Sequence, residues 1–201
     1  MSLPTFVTDD PFSAPGTVTL GEDAAHHMRV RRLETGVRIG LVDGAGTRGE
    51  GVLTQLAKRH AIVSIESAER VSAPRPVHLM VPVADRDRML WLAEKVTELG
   101  LGSWRPVMYR RSKGVNPRGE GTTFQQKIRA RMAGALEQSR GAWLPVTFPE
   151  ASIEHAIAGR PPGIAFVLDQ GARPLFSALG PAIDRARQEK KPVPAITLAV
   201  G

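Results

Sequence analysis

The sequence predicts an α+β protein of two domains: a small β domain over residues 1–72 and an α/β domain over residues 76–201. Three observations carry this. Short β-branched runs recur about every ten residues in the first third, with glycine turns between them, as in a small barrel or sandwich. The stretch 72–76 holds two prolines and reads as a linker. Beyond it, apolar runs alternate with segments of helical period, which implies a parallel sheet with helices on its faces. A chain of 201 residues is long enough to bury a core for each part.

Taken in order, residues 37–43, 51–56 and 61–66 read as strands, with Gly44-Ala45-Gly46 as the turn after the first. A short helix precedes them. Asp23 is its expected cap, and it runs past His26, His27 and Val30 to Leu33, ended by Gly36. After the linker, the apolar run 77–83 fits a strand buried on both faces. Asp85 is placed to cap a helix whose Met89, Leu92, Val96 and Leu99 recur at helical spacing, with Gly100 just past its end. Residues 104–108 form the next strand. Thr123 then opens a helix with Phe124, Ile128, Met132 and Ala135 on its inner face, stopping before Pro145. A buried strand at 164–168, a helix at 177–187 with an internal proline and a last strand at 195–200 complete the pattern. Ligands of open α/β sheets bind beyond the carboxyl ends of the strands. The sequence stops at such an end, so the chain is expected to be truncated where a binding loop would start.

Composition narrows the function. Hydrophobic residues are 42% and charged residues 23%, as in an ordinary soluble domain. No apolar run approaches the ~20 residues of a membrane span, and no secretory signal is visible at the start. The absence of cysteine rules out disulfides and Cys-ligated zinc and fits a cytoplasmic location. No metal site is expected. The net charge of +7 is unevenly spread. Residues 1–72 carry eight basic and nine acidic side chains, whereas residues 105–140 carry nine basic and two acidic. Such a block suits a polyanion, because each cation set against a phosphate releases counterions; it equally describes a solvated basic face.

Several motifs carry weaker signals. Gly44-Ala45-Gly46-Thr47-Arg48-Gly49 has the spacing of a dinucleotide loop, but a strand follows where a helix N-terminus is required, so a hairpin turn is expected. His26 and His27 point about 100° apart on a helix and make no metal pair. Arg29, Arg31 and Arg32 around the same helix suit phosphates, or else a surface helix with its stems packed down. Asp85 and Asp87 are explained by capping and the helix dipole rather than by paired-carboxylate chemistry.

Four segments together resemble one family. They are His26-His27-Met28-Arg29-Val30-Arg31-Arg32-Leu33 with residues 36–39; Leu92-Ala93-Glu94-Lys95-Val96-Thr97-Glu98-Leu99-Gly100 with Pro106 and Arg110-Arg111-Ser112; Lys127-Ile128 with Ala135-Leu136-Glu137-Gln138-Ser139-Arg140 and Pro145; and Ile196-Thr197-Leu198-Ala199-Val200-Gly201. In this order they are similar to the ribosomal RNA small subunit methyltransferase E family, which methylates N3 of a uridine in 16S rRNA. Arg110 departs from the family, standing where a glutamate is usual.

The resemblance implies a PUA-like RNA-binding β-barrel followed by a SPOUT-type α/β domain whose trefoil knot, lacking the family's last segment, is incomplete. It implies S-adenosylmethionine as cofactor, 16S rRNA or the small ribosomal subunit as partner, and a homodimer. Leu168, Asp169 and Gly201 are then expected at the cofactor, with Asp169 equally suited to a turn after its strand. Arg29, Arg31, Arg32, Arg110, Arg111 and Arg131 are expected at RNA. Glu137 and Arg140 are the candidates for removing the uridine proton or holding the anion. Truncation would leave the chain inactive as it stands. The rival readings are a non-catalytic RNA-binding protein of the same two domains and a SPOUT methyltransferase with another RNA target.

Overall fold

A computed structural model describes residues 3–110, 122–189 and 192–201. The chain divides into two compact units, one of residues 1–73 with 129–144, the other of residues 74–128 with 145–201.

The first unit begins with β1 (Thr5–Val7), β2 (Gly16–Leu20) and α1 (Glu22–Val30), then β3 (Arg38–Val42), β4 (Thr47–Leu56) and β5 (Ala61–Arg70). These five strands form one sheet in the order β1-β3-β4-β5-β2, with only the β1–β3 pair parallel. The two outer strands do not pair with each other, so the sheet is a half-barrel. Phe6, Leu20, Ile39, Leu41, Leu53 and Val63 fill its inner side together with Ala25 and Met28 of α1. Each is essentially inaccessible, and burying a large side chain of this kind contributes about 1.5–3 kcal/mol. The pairing of β4 with β5 slips at Glu50/Gly51 and at Leu53/Gln55, bulges that bend the ribbon. Gly49 and Gly51 lie against Ser67 O and Ser64 O, where no side chain would fit.

α1 starts two residues earlier than expected, with Gly21 at its cap instead of Asp23. It also ends sooner. Arg31 is the last helical-type residue and Arg32 turns left-handed at φ 54°, so the helix closes there and not at Gly36. The Leu33 N–H donating to Met28 O completes the turn. The strands β1 and β2, only three and five residues long, carry too little pattern to be read from sequence.

The second unit follows the predicted alternation. β6 (Val77–Pro82) leads to α2 (Arg86–Glu98), and β7 (Ser103–Met108) precedes α3 (Thr122–Ser139). Then come β8 (Val146–Thr147), β9 (Ala151–Ser152), the single-turn α4 (Ile153–Ala158), β10 (Gly163–Leu168), α5 (Leu175–Gln188) and β11 (Ala195–Val200). The strand order is β10-β11-β6-β7-β8, all parallel, with β9 also on β7. Asp85 caps α2 as predicted, accepting from the Arg88 N–H at 3.0 Å. Gly100, at φ 66°, closes that helix. Trp104 and Val107 are fully buried. β10, expected to be buried, is mostly exposed, with Val167 at 74%. It is an edge strand with β11 as its one sheet neighbour.

α3 buries Ile128, Met132, Ala135 and Leu136 along one stripe, and its residues from Arg129 onward belong to the first unit. There the chain beyond it seats on the β3–β4 turn. Gly46 N–H donates to Ala142 O and Leu144 N–H to Gly44 O, both at 2.8 Å, and Ala45 bridges Trp143. The Trp143 indole N–H donates to Val71 O at 3.1 Å under the Arg70 guanidinium. Gly44–Gly46 is thus a hairpin turn leading into β4, and Gly46 leaves room for the Trp143 indole while Gly44 lies against Leu144. Asp43 organises the turn by accepting from the N–H groups of Ala45 and Thr47 at 2.8 Å each.

Candidate functional site

Parallel register brings the carboxyl ends of four strands of the second unit to one edge. Leu168 pairs with Val200, Ala199 with Met80, and Pro82 with Val107. Leu168 and Asp169, Gly201, and Tyr109 with Arg110 therefore share this rim. The edge is partly apolar and open: Leu168 is 39% exposed, and Met108 is also accessible. Asp169 is exposed and shapes its own turn, accepting from Gly171 N–H at 3.5 Å and, through its carbonyl, from Ala172 N–H. Gly201 lies beside Tyr109, where an added Cβ would stand 3.9 Å from the ring edge. Burial pushes the Tyr109 phenol above its usual range, so it stays protonated at neutral pH. Such a rim offers an apolar shelf, a carboxylate and close backbone, a combination suited to a nucleoside with ribose hydroxyls. Among the described residues no group of three His, Cys, Asp or Glu is placed to hold a metal ion, and no helix is long and apolar enough to cross a membrane.

The basic candidates divide. Arg110 is exposed just past β7, and Arg131 is exposed on α3. Arg111 lies outside the described residues. Arg31 and Arg32 are exposed at the end of α1. Arg29 is exposed as well, but its guanidinium is engaged, donating to Ala57 O at 2.7 Å and to Lys58 O at 2.6 Å. Arg140 follows the last turn of α3 in the left-handed region, at φ 57°.

Glu137 belongs to the first unit, where its Oε1 accepts from the Val7 N–H at 3.2 Å. Its Oε2 lies 3.9 Å from His27 Nδ1. Burial raises the Glu137 pKa, while the Val7 N–H and the Arg31 charge pull the other way. Burial also lowers the His27 pKa, helped by Arg31 and His26, so the imidazole is neutral at pH 7 and meets Phe6 edge-on. The carboxylate is thereby committed to the end of α3 and the edge of β1.

Three features escaped the sequence reading. Tyr109 lies one residue past the predicted strand, and being the only tyrosine in the chain was a signal available for it. The seat of Trp143 on Gly44–Gly46 joins residues about a hundred positions apart and leaves no local trace. The Lys58-Arg59 turn held by Arg29 falls outside the basic block that drew attention.

Comparison with known proteins gives a consistent set of similarities. A family model described as the RNA methyltransferase domain matches residues 71–201, and one described as the RNA methyltransferase PUA domain matches residues 20–66. Among solved structures, ribosomal RNA small subunit methyltransferase E from Neisseria gonorrhoeae bound to S-adenosyl methionine is similar with a TM-score of 0.79 at 24% identity, over 100% of this chain and 80% of that one. A putative methyltransferase from Legionella pneumophila in complex with bound SAM gives 0.77 at 16% identity, over 100% and 79%. A predicted RNA methyltransferase from Thermotoga maritima gives 0.68 at 24%, over 98% and 80%. A search of curated proteins found no match.

Proposed function

The chain belongs to the RNA methyltransferase family, and from that membership we propose that it uses S-adenosylmethionine to methylate N3 of a uridine in 16S rRNA. The family match across residues 71–201, which contain the whole parallel sheet and its rim, is the observation that carries this reading. The resemblance of the ELG, RRS and EQS segments to ribosomal RNA small subunit methyltransferase E supports the finer target. It also supports a SPOUT-class homodimer working in the cytoplasm on rRNA or the small subunit.

The rim fits the cofactor on its own chemistry: Gly201 presents bare backbone beside Tyr109, and Leu168 presents apolar surface next to a carboxylate. In this reading Leu168, Asp169 and Gly201 would hold the cofactor, Leu168 by apolar contact, Asp169 as an acceptor for hydroxyls and Gly201 through its bare backbone. When bound, S-adenosylmethionine supplies a methyl group activated on a sulfonium. The protein's task is alignment, since holding acceptor and donor in line can remove about 7–11 kcal/mol from a barrier. Uracil N3 carries a proton and becomes a nucleophile once that proton has left, so a cation near the resulting anion lowers the barrier. Arg31, Arg32, Arg110, Arg111 and Arg131 hold phosphates. Glu137, occupied by Val7, is given no part in the proton transfer.

The test has two arms. Calorimetric titration of S-adenosylmethionine into the chain carrying the family's last segment after Gly201 should show saturable binding, weakened about tenfold or more by Asp169→Ala. Methylation of 16S rRNA, mapped by primer extension, should give one new stop at a uridine. Absence of binding favours a non-catalytic RNA-binding protein, and a stop at another base or in another RNA favours a different target.

A further inference from the structure

The end of α1 carries an arginine where a glycine would be easier. Arg32 occupies the position after the helix cap with φ 54°, a conformation that L side chains seldom adopt and that glycine takes freely. It is exposed. A strained residue retained with a long cationic side chain on the surface points to use of that side chain.

A second cationic element is tied to the same helix end. β4 and β5 are joined through residues 57–60, where Ala57 N–H donates to His60 O at 2.9 Å and leaves Lys58 and Arg59 at the tip. Both are exposed. The Arg29 guanidinium reaches from α1 to the carbonyls of Ala57 and Lys58, which fixes this tip against the helix. The acidic residues of α1, Glu22 and Asp23, lie in its first turn at the opposite end.

We propose that Lys58 and Arg59, braced by Arg29, form with Arg31 and Arg32 a single surface that binds the phosphodiester backbone of the RNA substrate, with Arg29 acting as a positioning residue and not as a phosphate ligand. This rests on the RNA reading above and adds to it a turn that the sequence did not single out. Phosphate contacts position a nucleic acid without reading its sequence, so the surface serves affinity and register, not choice of the target base. Each phosphate neutralised steepens the fall of binding with salt by roughly 0.9 in the logarithmic slope.

Filter binding of a 16S rRNA transcript across a potassium chloride series, paired with thermal unfolding, tests this. Arg32→Gly should unfold at a higher temperature yet bind RNA several-fold more weakly, with the salt slope reduced by about one. Gain of stability with loss of binding is an outcome that a purely structural role would not give. Lys58→Ala with Arg59→Ala should reduce the slope by about two, and the loss it causes should shrink in an Arg29→Gln background, where the tip is no longer held. Wild-type slopes in both the Arg32 and the Lys58/Arg59 variants would overturn the surface while leaving the methyltransferase reading intact. A wild-type protein that methylates or binds S-adenosylmethionine but shows no salt-dependent hold on RNA would overturn the surface as well, whereas loss of both properties would overturn the reading on which it rests.

Discussion

Gly46 and Glu137 show how single residues hold the first unit together, each with its own experimental consequence. A Cβ at Gly46 would stand 2.3 Å from the Trp143 ring, on a backbone already at φ 106°. Gly46→Ala must therefore displace the indole and adopt a left-handed alanine, and a loss of about 2–4 kcal/mol in denaturant unfolding is expected. Glu137 responds to pH. Its folded-state pKa is raised, so the native state holds the proton more tightly than the unfolded chain does. Its contribution to stability is then greatest at low pH. It declines as pH rises from the ordinary glutamate value of about 4.3 through the raised value. Glu137→Gln keeps an acceptor for the Val7 N–H and removes the titration. Its stability relative to wild type should improve as pH rises across that window, and a flat difference would contradict the assignment. Asp43 runs the other way. Burial raises its pKa, but the hydrogen bonds from Thr47 and Ala45, with Arg70, outweigh this, so its net shift is downward. It stabilises above the usual aspartate pKa of about 3.9, and that stabilisation is lost as pH falls through the lowered value.

Elements whose signals are local were legible, and those built by distant contacts were not. α2 was readable at its ends because its cap and its terminal glycine lie within sixteen residues, but its buried stripe is Met89, Ala93, Val96 and Thr97, and Leu99, counted in the expected stripe, is 76% exposed. The same holds for the hairpin at Gly44–Gly46, where the missing helix decided the reading. α1 was misjudged at both ends because its true stop, Arg32, is a residue type that propensity does not mark as a terminator. β10 looked buried by its apolar run, yet it is an edge strand, a fact set by topology and invisible in a window of six residues. The α/β pattern put Leu168, Asp169 and Gly201 at strand ends, and only the family resemblance tied them to a cofactor, while the engagement of Glu137 with Val7 left no local trace, being a contact 130 residues apart. α5 offers a test at this scale. Pro181 is exposed inside it and removes a backbone donor. Pro181→Ala should stabilise the protein by about 1–3 kcal/mol, read as a rise in the unfolding midpoint.

Across the whole molecule, charge sets the expected behaviour with RNA. The chain carries +7, and the excess lies in residues 105–140. Arg110→Ala combined with Arg131→Ala should weaken rRNA binding about uniformly across sequences and lower the salt slope by about two. An unchanged slope would mean that these two arginines are solvated and make no contact with the nucleic acid.

The discontinuity of the first unit bears on how the protein is made. While the ribosome is still adding residues 74–128, the nascent half-barrel lacks the Trp143 that fills its turn and the Glu137 that takes up the Val7 amide. At ordinary elongation speeds that interval lasts on the order of several seconds. During translation the amino-terminal sheet therefore waits for partners that emerge only after about half of the second unit has been made, and a stall within that window would leave the β3–β4 turn without its indole.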